Sequence, residues 1–265
     1  MITAVQTGWR AALVLLVPGL AFGSFANVVI WRAPRGLSVV RPPSACPRCA
    51  RRLHALDMVP VLSWLALRGR CRSCHAPISI RYPVVEALVG LLVAAVGWRY
   101  GLSWDAAIFG CLAVGLVTLG AIDLEHMRLP SPVVYVTAAS CGLLILAAGT
   151  QQHRWAGLGW AAGCAAVALA VLGAIRWYYP SGMGAGDVRL AGLVGLVLGW
   201  SGPGDTLVGF LAGMLIAAAA GLVLIAAGRA DRRTPIPFGT CLAAGAMLAV
   251  LAGPTIVSWY QTSIR

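Results

Sequence analysis

Apolar stretches long enough to cross a bilayer recur from Ala11 to Trp259, and nothing else constrains the chain as strongly. A span needs about 20 predominantly apolar residues. Eight candidate spans follow, at residues 11–30, 83–97, 104–122, 130–149, 155–175, 188–200, 206–228 and 238–260, the second and sixth being short. Only 11% of residues are charged, against roughly 25% in a soluble domain, and 60% are hydrophobic. That excludes a disordered, collagen-like or small disulfide-scaffold chain. The expected fold is an all-α polytopic membrane protein of about eight transmembrane helices. The first span follows Arg10 but lacks a small-x-small cleavage site and a secreted domain after Ile30, so it reads as a retained helix.

The formal charge of +12 comes entirely from arginine on the basic side. In a soluble protein this excess would suggest nucleic acid; here sidedness explains it better, and no nucleic-acid partner is expected. With the loop at 32–82 cytoplasmic, sixteen arginines fall inside: 32, 35, 41, 48, 51, 52, 68, 70, 72, 81, 128, 176, 189, 229, 232 and 233. Arg10, Arg99, Arg154 and Arg265 fall outside. The positive-inside rule then places both termini outside the cytoplasm.

Residues 32–82 form the only stretch of soluble composition, and six prolines within it disfavour long helices. About fifty residues bury little apolar surface, so such a unit needs a staple. Cys46-Pro-Arg-Cys49 and Cys71-Arg-Ser-Cys74 supply one. Two CxxC knuckles present four thiolates to one ion, the donor set of structural zinc, and Arg48, Arg70 and Arg72 offset the negative charge. Disulfides are the alternative, disfavoured in a reducing cytosol. His54 and His75 read as solvated loop residues, and Cys111, Cys141, Cys164 and Cys241 as small apolar residues within spans.

Among only eight acidic residues, Asp123 and Asp187 stand at the cytoplasmic ends of apolar spans, where an ionisable group is costly. Asp123 ends the third span, where the helix dipole opposes a carboxylate. Asp187 closes Gly184-Ala185-Gly186-Asp187 and reads as the N-cap of the sixth span, where free N–H groups favour one. Brought together, the two share a proton, held by Asp123 on the dipole argument, and activate a water against an amide. Gly184 and Gly186 permit close approach of an extended peptide. The alternative is a simple N-cap and a headgroup-level acid. Glu125, His126 and Arg128 form a polar turn beside Asp123, and Glu86 is expected to have an arginine partner such as Arg81. Asp57, Asp105, Asp205 and Asp231 read as solvated or capping residues.

The order of motifs resembles the type IV prepilin peptidases, nearly end to end. It comprises Gly23-Ser24-Phe25-Ala26-Asn27-Val28, Arg41-Pro42-Pro43 before the first CxxC, Pro60-Val61-Leu62-Ser63-Trp64-Leu65, and Arg68-Gly69-Arg70 before the second. Then come Ile78-Ser79-Ile80-Arg81-Tyr82-Pro83 with Glu86, Asp123 with Leu129-Pro130, the GxGD motif, and Pro237-Phe238-Gly239. The resemblance implies that Asp123 and Asp187 are catalytic and that residues 83–265 are a multi-span aspartic peptidase domain. It implies that 1–31 is the first transmembrane helix and 32–82 a zinc-binding domain associated with methyltransfer. The implied reaction removes the basic leader of type IV prepilins or pseudopilins, typically at Gly-Phe, on the cytoplasmic side of the bacterial inner membrane. The implied second activity methylates the new amino terminus from S-adenosylmethionine, whose contact residues are unreadable here. Three departures stand out: Ser131 where resembling chains often carry Asp, Thr240 in place of a frequent Pro, and Asp57-Met58 where an acid is followed by Asn. A transporter binding a cation at the two aspartates and a non-catalytic assembly factor are the competing classes. The first predicts an internal repeat, and the CxxC pairs and GxGD each occur in one half alone.

Overall fold

The computed structural model describes residues 2–180, 182–229, 231, 234 and 237–263, with side chains from Gly8 onward. Arg232, Arg233 and Arg265, counted above for sidedness, lie outside the described residues. The elements are α1 (Ile2–Arg32), α2 (Leu62–Ala66), α3 (Arg81–Tyr100), α4 (Trp104–His126) and α5 (Ser131–Gln151), then α6 (Trp155–Tyr178), α7 (Ala185–Ser201), α8 (Pro203–Ala226) and α9 (Phe238–Ser263). Among the described residues the only β pairing is two isolated bridges. The protein is a helical, multi-pass membrane protein: among the described residues, seven helices are long and apolar enough to cross a bilayer. The sixth expected span, α7, has 17 residues and is not among the seven. Helices overrun their apolar windows because hydropathy marks the hydrocarbon, whereas backbone hydrogen bonding continues through polar ends. Thus α3 begins at Arg81 and α7 at Ala185, not at 83 and 188.

The chain divides into two compact units, Met1–Ala106 and Ala107–Arg265. In the first, α1 and α3 run antiparallel through small residues. A Cβ on Gly23 would stand 2.8 Å from Glu86 Cα, and one on Gly97 would stand 3.0 Å from the Ala11 carbonyl. Asn27 Nδ2 donates to the Tyr82 carbonyl at 3.0 Å, closing the pair at the loop end. Glu86 Oε2 accepts the Val61 N–H at 2.7 Å, so the expected arginine partner gives way here to a backbone donor. That donor opens α2, whose N-cap Val61 stands at φ 60°.

In the second unit the shortest long helix is well enclosed. Leu190, Leu193, Val194, Val197, Leu198 and Trp200 of α7 are all buried, while only 17% of the apolar window of α6 or of α8 is. Lipid tails give apolar side chains no reason to leave them, so association rests on close packing of small residues. Positions 195 and 199 of α7 accordingly meet α6 backbone: a Cβ at either would stand 2.7 Å from the carbonyl oxygen of Cys164 or Trp160. The α8–α9 crossing works likewise. A Cβ on Gly245 would stand 2.6 Å from the Gly209 carbonyl and would also strike Gly213. Asp205, expected to be solvated or capping, occupies the first turn of α8 and is buried, in a space that Gly253 leaves open.

Gly245→Val is expected to force α8 and α9 apart and to abolish monodisperse, folded protein in detergent, as read by size-exclusion chromatography. Gly159→Val, at a position with nothing within 4 Å, is the control and should elute as wild type.

Candidate active site and metal centre

The four loop cysteines converge. One sulfur from each of Cys46, Cys49, Cys71 and Cys74 lies within 4.8 Å of the others, and Cys46 Sγ is 3.8 Å from Cys74 Sγ. Four Zn–S bonds of about 2.3 Å give a tetrahedron with edges of about 3.8 Å, so the donor set and its spacing fit a tetrathiolate metal. The two knuckles are built alike. An Ala45–Arg52 bridge closes the first and an Arg70–Pro77 bridge the second. In each, the residue four past the leading cysteine returns its N–H to that cysteine's carbonyl, Ala50 to Cys46 at 2.9 Å and His75 to Cys71 at 3.0 Å. Both residues take the left-handed conformation, at φ 55°. His75 is therefore a turn former, and no histidine belongs to the cluster.

Backbone donors ready these sulfurs for an ion. The N–H groups of Cys49 and then Arg48 pull the Cys46 thiol down to about 6, and those of Cys74 and then Ser73 lower Cys71. Cys74 goes the other way: the Ala76 N–H favours its thiolate, but burial and neighbouring thiols push it up to about 11. Asp57, expected to be solvated or capping, caps and is also ion-paired. It accepts the His54 N–H at 3.3 Å and the Arg72 guanidinium at 2.7 Å, which holds its carboxyl below the usual range and ties the 3₁₀ turn Ala55–Met58 to the second knuckle.

The two aspartates lie in the second unit. Asp123, 5% exposed, sits in the last turn of α4, which Met127 ends at φ 51°. Its Oδ2 accepts the Thr240 N–H at 3.1 Å and lies 3.4 Å from the Thr240 hydroxyl. Thr240 belongs to the first turn of α9, where backbone N–H groups have no helical partner. Asp123 thus stands at the C-terminus of its own helix and at the N-terminus of another. The start of α9 offsets the α4 dipole that the sequence argument set against a carboxylate here. Gly239 makes this approach possible, since a Cβ there would stand 2.9 Å from Asp123 Oδ2.

Asp187 is the third residue of α7, not its cap. Gly184 is the N-cap, and its N–H donates to Asp187 Oδ2 at 3.1 Å. Asp123, through Gly239, and Asp187, through Gly186, approach a common neighbour. Leu129 joins them. It is buried against the positions a Cβ would take on Gly186 (2.7 Å) and on Gly239 (2.9 Å). Two arginines, read from sequence only as topology markers, shape the approach. Arg176 donates to the Met183 carbonyl at 2.8 Å, fastening the turn before Gly184. Arg189 donates to Ser131 Oγ at 2.8 Å. Glu125 and His126 lie within α4, 4.0 Å apart, not in a turn beyond it. Cys141, read as a small apolar residue, is buried with its Sγ 3.9 Å from the Ile108 carbonyl oxygen.

A family model described as the bacterial peptidase A24 N-terminal domain matches residues 17–100, and one described as the type IV leader peptidase family matches residues 110–226. A prepilin leader peptidase/N-methyltransferase of Stutzerimonas stutzeri is 34% identical over 96% of this chain and 94% of its own. The chain belongs to the type IV leader peptidase family. Proteins of the same description from Bacillus subtilis and Pseudomonas aeruginosa are 34% and 33% identical, over 93% and 94% of this chain and 96% and 92% of theirs. No solved structure matches. Both aspartates lie in or beside elements of the second matched segment, and all four clustered cysteines lie in the first.

The thiolate form binds metal, and a lowered thiol ionises above its folded value and is lost as pH falls through it. Metal-free protein should therefore show half-maximal iodoacetamide labelling of Cys46 near pH 6 and of Cys74 near pH 11. Peptide mass spectrometry reads both, and coincident profiles would contradict the backbone assignment.

Proposed function

We propose that this membrane enzyme removes the basic leader of type IV prepilins or pseudopilins, typically at Gly-Phe, by aspartic catalysis, and then methylates the new amino terminus. The observation that supports the first step is that each carboxylate has one oxygen held by a backbone N–H and that residues next to both, Gly186 and Gly239, meet the same Leu129. Holding Oδ2 of Asp123 and of Asp187 leaves Oδ1 of each to a water between them. The ionised member takes a proton from that water as its oxygen attacks the scissile carbonyl carbon. The protonated member gives its proton to the carbonyl oxygen. Breakdown of the tetrahedral adduct sends a proton to the leaving nitrogen, and the pair recovers its single shared proton.

Cys46, Cys49, Cys71 and Cys74 hold structural zinc in this reading, which supplies the loop with a core that its few buried residues do not. S-adenosylmethionine supplies the methyl group when bound. The arginine count puts the loop and both aspartates on the cytoplasmic side of the inner membrane, with residues 83–265 as the peptidase segment. A basic leader meets Asp123, Glu125 and Asp187 as the local acidic feature of an arginine-rich face.

The test is purified protein in detergent with a Gly-Phe prepilin, read by mass spectrometry for chain shortening and for methylation. Asp123→Asn and Asp187→Asn should each reduce cleavage at least about 10³-fold, since a dyad member works only with its partner. Equal cleavage by both variants and wild type would make the aspartates structural. Asp57→Asn should loosen the Arg72 clasp and reduce methylation while leaving shortening intact.

A further inference from the structure

Among the described residues Thr240 is the side-chain donor to Asp123, and its geometry is that of a two-way contact. Its Oγ1 lies 3.1 Å from the Gly120 carbonyl oxygen and 3.4 Å from Asp123 Oδ2. A hydroxyl has one hydrogen and two lone pairs, and it rotates to suit its neighbours. Both acceptors belong to α4, one turn apart, while Thr240 arrives from α9 more than a hundred residues later.

We propose that Thr240 is a positioning residue that keeps Asp123 Oδ2 hydrogen-bonded in both of its protonation states. When Asp123 is ionised, the hydroxyl turns its hydrogen to Oδ2, beside the Thr240 N–H that already donates there. When Oδ2 carries the proton, that proton donates to Oγ1, and the Thr240 hydrogen turns to the Gly120 carbonyl. Neither state leaves a buried polar atom unpaired, so the carboxyl keeps its orientation as the proton comes and goes. A carboxyl that carries the proton in only part of each cycle needs such a partner, because an N–H donates to the carboxyl but cannot accept its proton. The first turn of α9 makes this affordable: its first helical bond is the 3.4 Å contact from Cys241 N–H to Pro237, so the N–H of residue 240 is free for Asp123. The proposal rests on the reading of Asp123 as catalytic.

Three variants separate the two donors. Thr240→Val keeps the N–H and the shape and loses the hydroxyl. Thr240→Ser keeps both. Thr240→Pro loses both, yet proline fits the first turn of a helix. With full-length protein in detergent and a Gly-Phe prepilin, Thr240→Val should lower kcat about 10-fold with KM within about twofold, the size of one lost hydrogen bond. Thr240→Ser should stay within about twofold of wild type, and Thr240→Pro should fall at least as far as Thr240→Val. Thermal melting of each variant shows whether it is folded, and Thr240→Ala replaces any that is not. Wild-type kcat in Thr240→Val and Thr240→Pro, with Asp123→Asn inactive, would overturn the role of Thr240 and leave the dyad standing. Loss in Thr240→Ser equal to that in Thr240→Val would overturn it too, as would a change confined to KM. Full cleavage by Asp123→Asn would instead overturn the reading on which the proposal rests.

Discussion

A carboxylate at the end of an apolar helix has little water to stabilise it, and the second unit is arranged around meeting that need with backbone N–H groups. Asp187 takes its donor from the start of its own helix, Asp123 from the start of a distant one. An anion at a helix N-terminus gains both a hydrogen bond and the favourable end of the dipole. Two such ends must therefore converge, and this fixes where α7 and α9 begin. The residues that let them converge have no side chain in the way, Gly186 and Gly239, with Leu129 filling the space between.

The helices, the four-cysteine cluster and the two aspartates were all legible in the sequence, for different physical reasons. Apolar runs report the solvent of each segment directly. CxxC reports geometry directly, because two intervening residues suffice to aim two sulfurs at one point. The aspartates were conspicuous because acids are scarce in such a chain. What stayed hidden were contacts made at long separation. Nothing near Asp123 announces Thr240, which is 117 residues away. The one local signal was Gly239, whose missing side chain marks a close approach without saying to what. Asp187 read as a cap because the boundary of α7 was taken from its first apolar residue, whereas the helix starts earlier in glycine and alanine. Asp57 and Asp205 read as solvated or capping, and Asp57 does cap, but charge alone suggests neither an ion pair nor burial. Arg72 supplies the one and the gap at Gly253 the other.

Glycine plays two roles that the same composition conceals. In the bundle it lets helices touch where no hydrophobic drive exists to press them together, as at Gly209, Gly213 and Gly245. At the site it clears room for carboxylates. Both depend on absent atoms, which is why neither shows in a hydropathy profile.

The contact register of α6 with α7 carries a consequence for access. Gly199 faces Trp160 and Ala161, Gly195 faces Cys164 and Ala165, and Gly192 faces Leu169. Extended along the antiparallel pair, this register sets Asp187 level with about Gly173, five residues inside the end of α6 at Tyr178. At 1.5 Å per residue that is a recess of about 7–8 Å. A peptide still coiled as a helix is about 10 Å across, and it would meet the rim of α6 before its backbone came within reach of the floor. On the proposed function, a scissile bond must travel that depth along α6 to reach Asp187, which favours a leader that extends as it enters.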